Sequence, residues 1–269
     1  MSEIEKITSR DNQRLVNARK VRGGNGGNLI FIEGRRLVEE ALRSDIVIDE
    51  CFYVDGFRNR ELLSGIAAKT SKIFEIPERI FRTIADTNNP QGTILLGQRP
   101  SRGLRIIEER MGAQPTMLPV VLFLNEIGNP ANLGAILRTA EAAGVVGVVV
   151  SENSADVFSP KALRAAMGSS FRLPIWENAA FDDVLLWAKK WGLESTAAHV
   201  SAEKSYTEID WGRPRLLIFG SEAHGFDEKE LEGVEERMQI PMENGVESLN
   251  LAVSAGVILF EARRQAANQ

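Results

Sequence analysis

Five polar side chains in the C-terminal half stand in otherwise small or apolar surroundings and could do chemistry. Asn132 and Arg138 lie in NEIGNPANLGAILRTAEAAG (125–144), Glu222 in LLIFGSEAHGF (216–226), and Ser248 and Asn250 in QIPMENGVESLNLAVSAGVILFEARR (239–264). A guanidinium stays protonated and can grip a phosphate or a developing oxyanion through paired N–H donors, while amide, hydroxyl and carboxylate groups orient their partners. Asn132 and Arg138 are six residues apart, within ~9 Å of helical rise, and the spacing predicts both near one side of a helix opened by Pro130. Gly134 admits close backbone approach, and the apolar neighbours of Arg138 predict a buried or site-facing guanidinium. Each group also has a plain structural reading. A lone Arg is commonly a surface charge, a G-x-E-x-x-G turn is often Gly-rich for steric reasons, and Ser248 and Asn250 suit the start of a helix. His224 reads as an exposed loop residue.

The elements that must position these groups can be read from apolar patterning. VVLFL (120–124), GVVGVVV (144–150) and RLLIFG (215–220) are near-continuous apolar runs, the pattern of a parallel sheet covered on both faces. Helices are expected at 132–143, 161–167, 181–191, 227–235 and 249–264. Ligands of such sheets bind beyond the C-terminal strand ends, which directs attention to the segments after Leu124, Phe219 and Ile240. Ahead of this, residues 1–99 read as a smaller α/β domain. It has a basic helix at 9–22 with Leu15, Val16 and Val21 as buried positions, a Gly-rich break at 23–27, and strands at 29–32, 46–54, 72–76 and 94–96. Helices at 35–43 and 60–69 fall between the strands. Residues 100–117 read as a linker with one or two helical turns, and 118–269 as the second domain.

Composition narrows the function classes. With 43% hydrophobic and 26% charged residues the chain is expected to fold as a globular protein rather than stay disordered. No apolar run approaches the ~20 residues of a bilayer span. One cysteine, Cys51, and two distant histidines, His199 and His224, leave no disulfide and no basis for a zinc mechanism, so a reducing cytoplasm and no metal are expected. The net charge of −5 is unevenly spread. Residues 1–100 hold 16 Lys and Arg against 14 Asp and Glu, and the first 36 residues hold 8 against 4. That asymmetry points to an N-terminal face for RNA, with a solvated helix as the alternative. The candidates are Arg10, Asn12, Arg14, Arg19, Lys20, Arg22, Arg35 and Arg36.

Taken together and in order, N-P-x-N-x-G-A-I-x-R-T-A, F-G-x-E-x-x-G and I-P-M-x-x-x-x-x-S-L-N resemble the three signature motifs of the SpoU (TrmH-type) RNA 2′-O-ribose methyltransferases of the SPOUT superfamily, over roughly residues 118–266. ITSRDNQRL, FIEGRRLVEEAL and the NNPQG turn resemble the L30e-like substrate-binding domain that many members carry. Asn129 stands where members often have Asp, and Ala166 where Ser is common.

The resemblance implies an α/β fold with a trefoil knot in a C-terminal parallel-sheet domain, a homodimer with sites at the subunit interface, and S-adenosylmethionine as cofactor. It places Phe219, Gly220, Glu222, Ile240, Met242, Ser248 and Leu249 against that cofactor, and Arg138, Asn132, Ser248, Asn250 and Glu222 in the catalytic constellation. Arg138 is then expected to clamp the phosphate beside the target ribose and stabilise the alkoxide, rather than to act as a base. Leu249, Val253, Val257 and Phe260 form an apolar stripe suited to core packing or a dimer contact. The implied substrate is structured RNA, ribosomal RNA first and transfer RNA second. The rival readings are a non-catalytic RNA-binding or ribosome-assembly factor and a base methyltransferase.

Overall fold

The computed structural model describes residues 5–100, 103–113 and 118–267. The chain divides into two compact units, Met1–Ser101 with Val157–Arg172 and Arg102–Asp156 with Leu173–Gln269.

The first unit runs β1 (Glu5–Lys6), α1 (Gln13–Arg22), β2 (Leu29–Glu33), α2 (Arg35–Arg43), β3 (Ile48–Val54), α3 (Arg60–Ala67), β4 (Ile73–Ile76), α4 (Glu78–Ile84) and β5 (Thr93–Gln98). Its sheet has the order β1-β4-β3-β5-β2. β1, β3 and β4 are parallel, and β5 runs antiparallel between β3 and β2. The helix expected from residue 9 begins at Gln13, because the Asn12 side chain accepts from the Arg14 N–H at 2.9 Å and fixes the start. Leu15 and Val21 are buried as expected, but Ala18 completes the stripe and Val16 is only half-buried. Two elements escape the sequence reading. β1 is too short to show a period, and α4 buries Ile80, Phe81 and Ile84 in only seven residues after Pro77. Cys51 is fully buried in β3, and burial pushes its thiol up to about 12, so it is not a reactive nucleophile.

The chain continues through α5 (Leu104–Gly112), β6 (Leu118–Leu124), α6 (Pro130–Ala143), β7 (Val145–Ser151), α7 (Pro160–Ala166), α8 (Ser169–Arg172), β8 (Ile175–Ala179), α9 (Phe181–Lys190), β9 (Glu194–Ala198), β10 (Lys204–Ser205), β11 (Arg215–Phe219), α10 (Glu228–Glu232), β12 (Glu236–Gln239) and α11 (Leu251–Ala266). α7 and α8 belong to the first unit, an excursion that contiguous sequence boundaries do not anticipate. There α7 packs on β2, Arg164 pairs with Asp86 at 2.7 Å, and Arg172 reaches Glu40 at 2.5 Å.

The second unit is a seven-stranded sheet of order β10-β12-β9-β11-β6-β7-β8, parallel at every pairing. Val121, Phe123 and Val149 pack on one face with Ile107 of α5 and Val184 and Trp187 of α9. α6 and α11 cover the central strands β6 and β7 and pack against each other. Burial on both faces is why β6, β7 and β11 read as continuous apolar runs. The stretch expected as a linker carries α5, which is part of this core. Ile107 is fully buried, and the Glu108 carboxylate accepts the indole N–H of both Trp187 and Trp191 at 3.0 Å. Among the described residues no helix is long and apolar enough to cross a membrane.

Candidate active site

Four strands end at one place. β6 runs into Asn125–Asn129, β9 into His199, β11 into Gly220, and β12 into Ile240. The loop after β6 is anchored from behind, where the buried Asn125 amide donates to Glu230 at 2.7 Å and Ser151 accepts from the Glu126 N–H at 2.8 Å. α6 then starts as its sequence dictates, with Pro130 in the first turn and the Asn129 side chain accepting from the Ala131 N–H at 2.9 Å. Asn129 therefore does the capping that an Asp would do there.

A hydrogen-bond relay joins the three polar segments. One Glu222 carboxylate oxygen accepts the Asn129 N–H at 2.9 Å and the other accepts from the Asn132 amide. The Asn132 carbonyl in turn accepts from the Asn250 amide at 3.2 Å. Asn250 also caps α11, its oxygen accepting from the Ala252 and Val253 N–H groups at 3.0 and 3.4 Å. The helix consequently begins at Leu251, and Asn250 rather than Ser248 is the cap that starts it. α6 and α11 lie parallel, tied at the start by Asn132–Asn250 and at the far end by Arg263, which donates to the Ala142 carbonyl.

Glu222 sits at the tip of a tight loop. Ser221 and Gly225 exchange two backbone hydrogen bonds of 2.9 Å. Gly225 has φ +69°, a left-handed turn that favours glycine, and a Cβ on Gly220 would meet the Gly225 carbonyl oxygen at 2.6 Å. Gly225 is thus fixed by its backbone conformation, and Gly220 by the close approach of the Gly225 backbone.

Between this loop and the segment joining β12 to α11 lies a cavity of about 660 Å³. Phe219, Gly220, Glu222, Ile240, Met242, Ser248 and Leu249 all line it, as do Asn132 and Asn250. Its size is that of a small-molecule pocket. Phe219, Met238, Leu251 and Ile258 give it apolar lining, and Asn132, His199 and Ser248 add polar groups to it. That combination fits an adenine nucleoside, whose flat base wants apolar cover and whose edge wants hydrogen bonds.

Arg138 is not among the lining residues. It is exposed and makes no hydrogen bond or ion pair with another described residue. The expectation that it shares a side with Asn132 is corrected by helix geometry, since six residues at ~100° each leave the two roughly 120° apart. The sequence reading also misses His199, Phe226 and Met238, which line the cavity. His199 comes just after β9, whose string ESTAA is too polar and too short to stand out as a strand.

The N-terminal candidates divide by what already holds them. Asn12 is a helix cap, Arg14 pairs with the buried Glu50 and lies 4.5 Å from the centre of the Phe74 ring, and Arg22 donates to the Ala85 carbonyl at 2.6 Å. Arg19 donates to the Arg10 carbonyl at 2.8 Å and Arg35 pairs with Glu39 at 2.8 Å, while Arg10 has only Asp11 at 3.5 Å. Lys20 and Arg36 are exposed without a partner among the described residues. Arg14 and Arg22 thus hold the unit together, and Arg10, Lys20, Arg35 and Arg36 are the cations with exposed charge.

Comparison with known proteins agrees with this geometry. Residues 119–260 match the profile of the SpoU rRNA Methylase family, and residues 9–95 that of the MRM3-like substrate binding domain. The chain is 32% identical to an uncharacterized tRNA/rRNA methyltransferase of Synechocystis sp., covering 98% of this chain and 95% of that protein. It is 29% identical to the 23S rRNA (guanosine(2553)-2′-O)-methyltransferase of Bacillus subtilis, covering 97% of this chain and 100% of that one. Its structure superposes on an AdoMet-bound rRNA methyltransferase from Sinorhizobium meliloti with a TM-score of 0.84, at 27% identity over 97% of this chain and 98% of that one.

Proposed function

The chain belongs to the SpoU rRNA methylase family, and from that premise we propose that its cavity and relay methylate a ribose 2′-hydroxyl in ribosomal RNA. The protein is an RNA 2′-O-ribose methyltransferase and its cofactor is S-adenosylmethionine. The observation that carries the site assignment is the relay Asn129–Glu222–Asn132–Asn250 at the wall of a nucleoside-sized cavity.

When bound, S-adenosylmethionine would supply an electrophilic methyl group to the ribose oxygen. The protein's part is to hold that oxygen in line and to stabilise its negative charge. Glu222 and Asn250 fix the Asn132 amide, leaving its second N–H to donate to an incoming oxygen. Ser248 lines the same cavity. Arg138 clamps the adjacent phosphate and stabilises the alkoxide, while the ribose proton passes to that phosphate or to water. Phe219, Gly220, Ile240, Met242 and Leu249 hold the cofactor.

In this proposal residues 1–99, joined by 157–172, form the substrate-binding domain, and the rest of 118–269 forms the methyltransferase domain. Arg10, Lys20, Arg35 and Arg36 supply phosphate contacts that read folded RNA by shape. Transfer RNA is the second substrate choice, and the cytoplasm the expected location. A trefoil knot and a homodimer complete the reading. The dimer is supported by Val253 and Phe260, which are 51% and 48% exposed on α11, and by Arg138, which stands outside the single-chain cavity. A second copy on this face would cover the apolar side chains and complete the site. Phe260→Asp is expected to shift the protein from dimer to monomer in sedimentation and to lower turnover with it. A monomeric wild type would remove this part of the proposal.

The deciding experiment digests RNA from cells with and without the protein to nucleosides and maps the missing modification. Loss of one 2′-O-methylnucleoside in ribosomal RNA is expected. Loss of a base-methylated nucleoside would favour the base methyltransferase, and an unchanged profile would favour the non-catalytic assembly factor.

A further inference from the structure

His199 lines the cavity at the end of β9, and nothing in the catalytic relay uses it. Its surroundings define what it can offer. The ring nitrogen Nδ1 accepts the Ser201 N–H at 3.3 Å, which leaves Nε2 as the nitrogen that can donate. The backbone N–H donates to the Met238 carbonyl at 2.8 Å, and the Phe226 ring centre lies 6.4 Å from the imidazole, which together limit how the ring can turn. Nε2 has no hydrogen-bond partner among the described residues. A hydrogen-bond donor without a protein partner on a cavity wall is a group waiting for a ligand acceptor.

Position in the sheet indicates which part of the ligand it meets. β9 lies between β12 and β11, so His199 stands between the chain entering Ile240 and the chain entering Gly220. The relay built on Asn132 lies on the other side of β11, where β6 delivers α6. Apolar residues stand close to His199, with Phe226 beside its ring, Met238 paired to its backbone and Val200 next in the chain, and all three line the cavity. No Lys or Arg is among the described residues lining the cavity. A methionyl carboxylate calls for a cation, whereas a purine ring nitrogen calls for a neutral donor and flat apolar cover. We propose that His199 is a cofactor-recognition residue that donates its Nε2–H to a ring nitrogen of adenine. The proposal rests on reading the cavity as the cofactor site.

The test is calorimetric binding of S-adenosylhomocysteine and of 5′-methylthioadenosine, which keeps the adenine but lacks the carboxylate. His199→Phe keeps a ring against Phe226 and removes the donor, while His199→Gln places an amide N–H near the position of Nε2. His199→Phe is expected to weaken both ligands by the same factor, about three- to tenfold, the worth of one neutral hydrogen bond. His199→Gln is expected to keep both within about twofold of wild type. Weakening of S-adenosylhomocysteine alone would mean a carboxylate contact and overturn the assignment, as would unchanged binding of both ligands to His199→Phe, or equal losses in the two variants. Should the wild-type protein bind neither ligand, the reading of the cavity itself fails, and this assignment with it.

Discussion

Arg138→Ala is expected to lower kcat for methyl transfer by about two to three orders of magnitude, the usual loss when one donor to a developing oxyanion is removed. Binding of S-adenosylhomocysteine should stay within about twofold of wild type, because Arg138 does not line the cavity. Stability should also hold, since the side chain is exposed and makes no contact that the fold depends on. This split separates a residue acting on the RNA from one acting on the cofactor. Arg138→Lys should recover only part of the loss, because an ammonium lacks the planar fork that grips phosphate through two bonds. Tritium transfer from labelled S-adenosylmethionine to RNA, with calorimetry beside it, gives both readings. Wild-type turnover in Arg138→Ala would sink the catalytic role.

Gly220→Ala is expected to act in the opposite way, weakening S-adenosylhomocysteine by at least about tenfold. The added Cβ would lie 2.6 Å from the Gly225 carbonyl oxygen and 2.9 Å from its carbon, both backbone atoms that no rotamer change can move. The loop cannot simply widen, because Ser221 and Gly225 are held by reciprocal bonds of 2.9 Å. Overpacking of this kind costs about 1–3 kcal/mol, and here the strain falls on the turn that carries Glu222. The carboxylate would move away from Asn129 and Asn132, so turnover should fall as well. Calorimetry on the purified variant checks the first effect, with thermal unfolding showing that the sheet survives. Undiminished ligand affinity would mean that the Ser221–Gly225 turn is not part of the binding wall.

How much of this is legible in the sequence depends on how strongly local pattern constrains each element. β6, β7 and β11 are buried on both faces, so nothing but apolar residues fits and the runs declare themselves. β9 is short and partly polar, and its strand character comes from the neighbours it pairs with rather than from its own composition. For the same reason the sequence assigns His199 to no site. The motif residues around the cavity emerge through resemblance, because each alone reads as a cap or a tight turn. In fact Asn250 is both a cap and a member of the relay, so the structural and functional readings are not alternatives. Arg138 shows the limit of spacing arguments: its apolar neighbours fill the core while the residue between them points to solvent. Basic residues in α1 mislead in the converse direction, since Arg14 and Arg22 look available for RNA yet are engaged by Glu50 and by the end of α4.

The excursion of Val157–Arg172 has a consequence for modularity. The unit that matches a substrate binding domain is not a bead threaded before the second, because α7 and α8, which help to build it, are encoded between β7 and β8 of the seven-stranded sheet. A graft that transplanted only the leading hundred residues onto another methyltransferase would leave β2 without α7, Asp86 without Arg164 and Glu40 without Arg172. In this chain, transferring the first unit whole would require two separate segments, the leading hundred residues and Val157–Arg172. A single junction would divide that unit between donor and recipient.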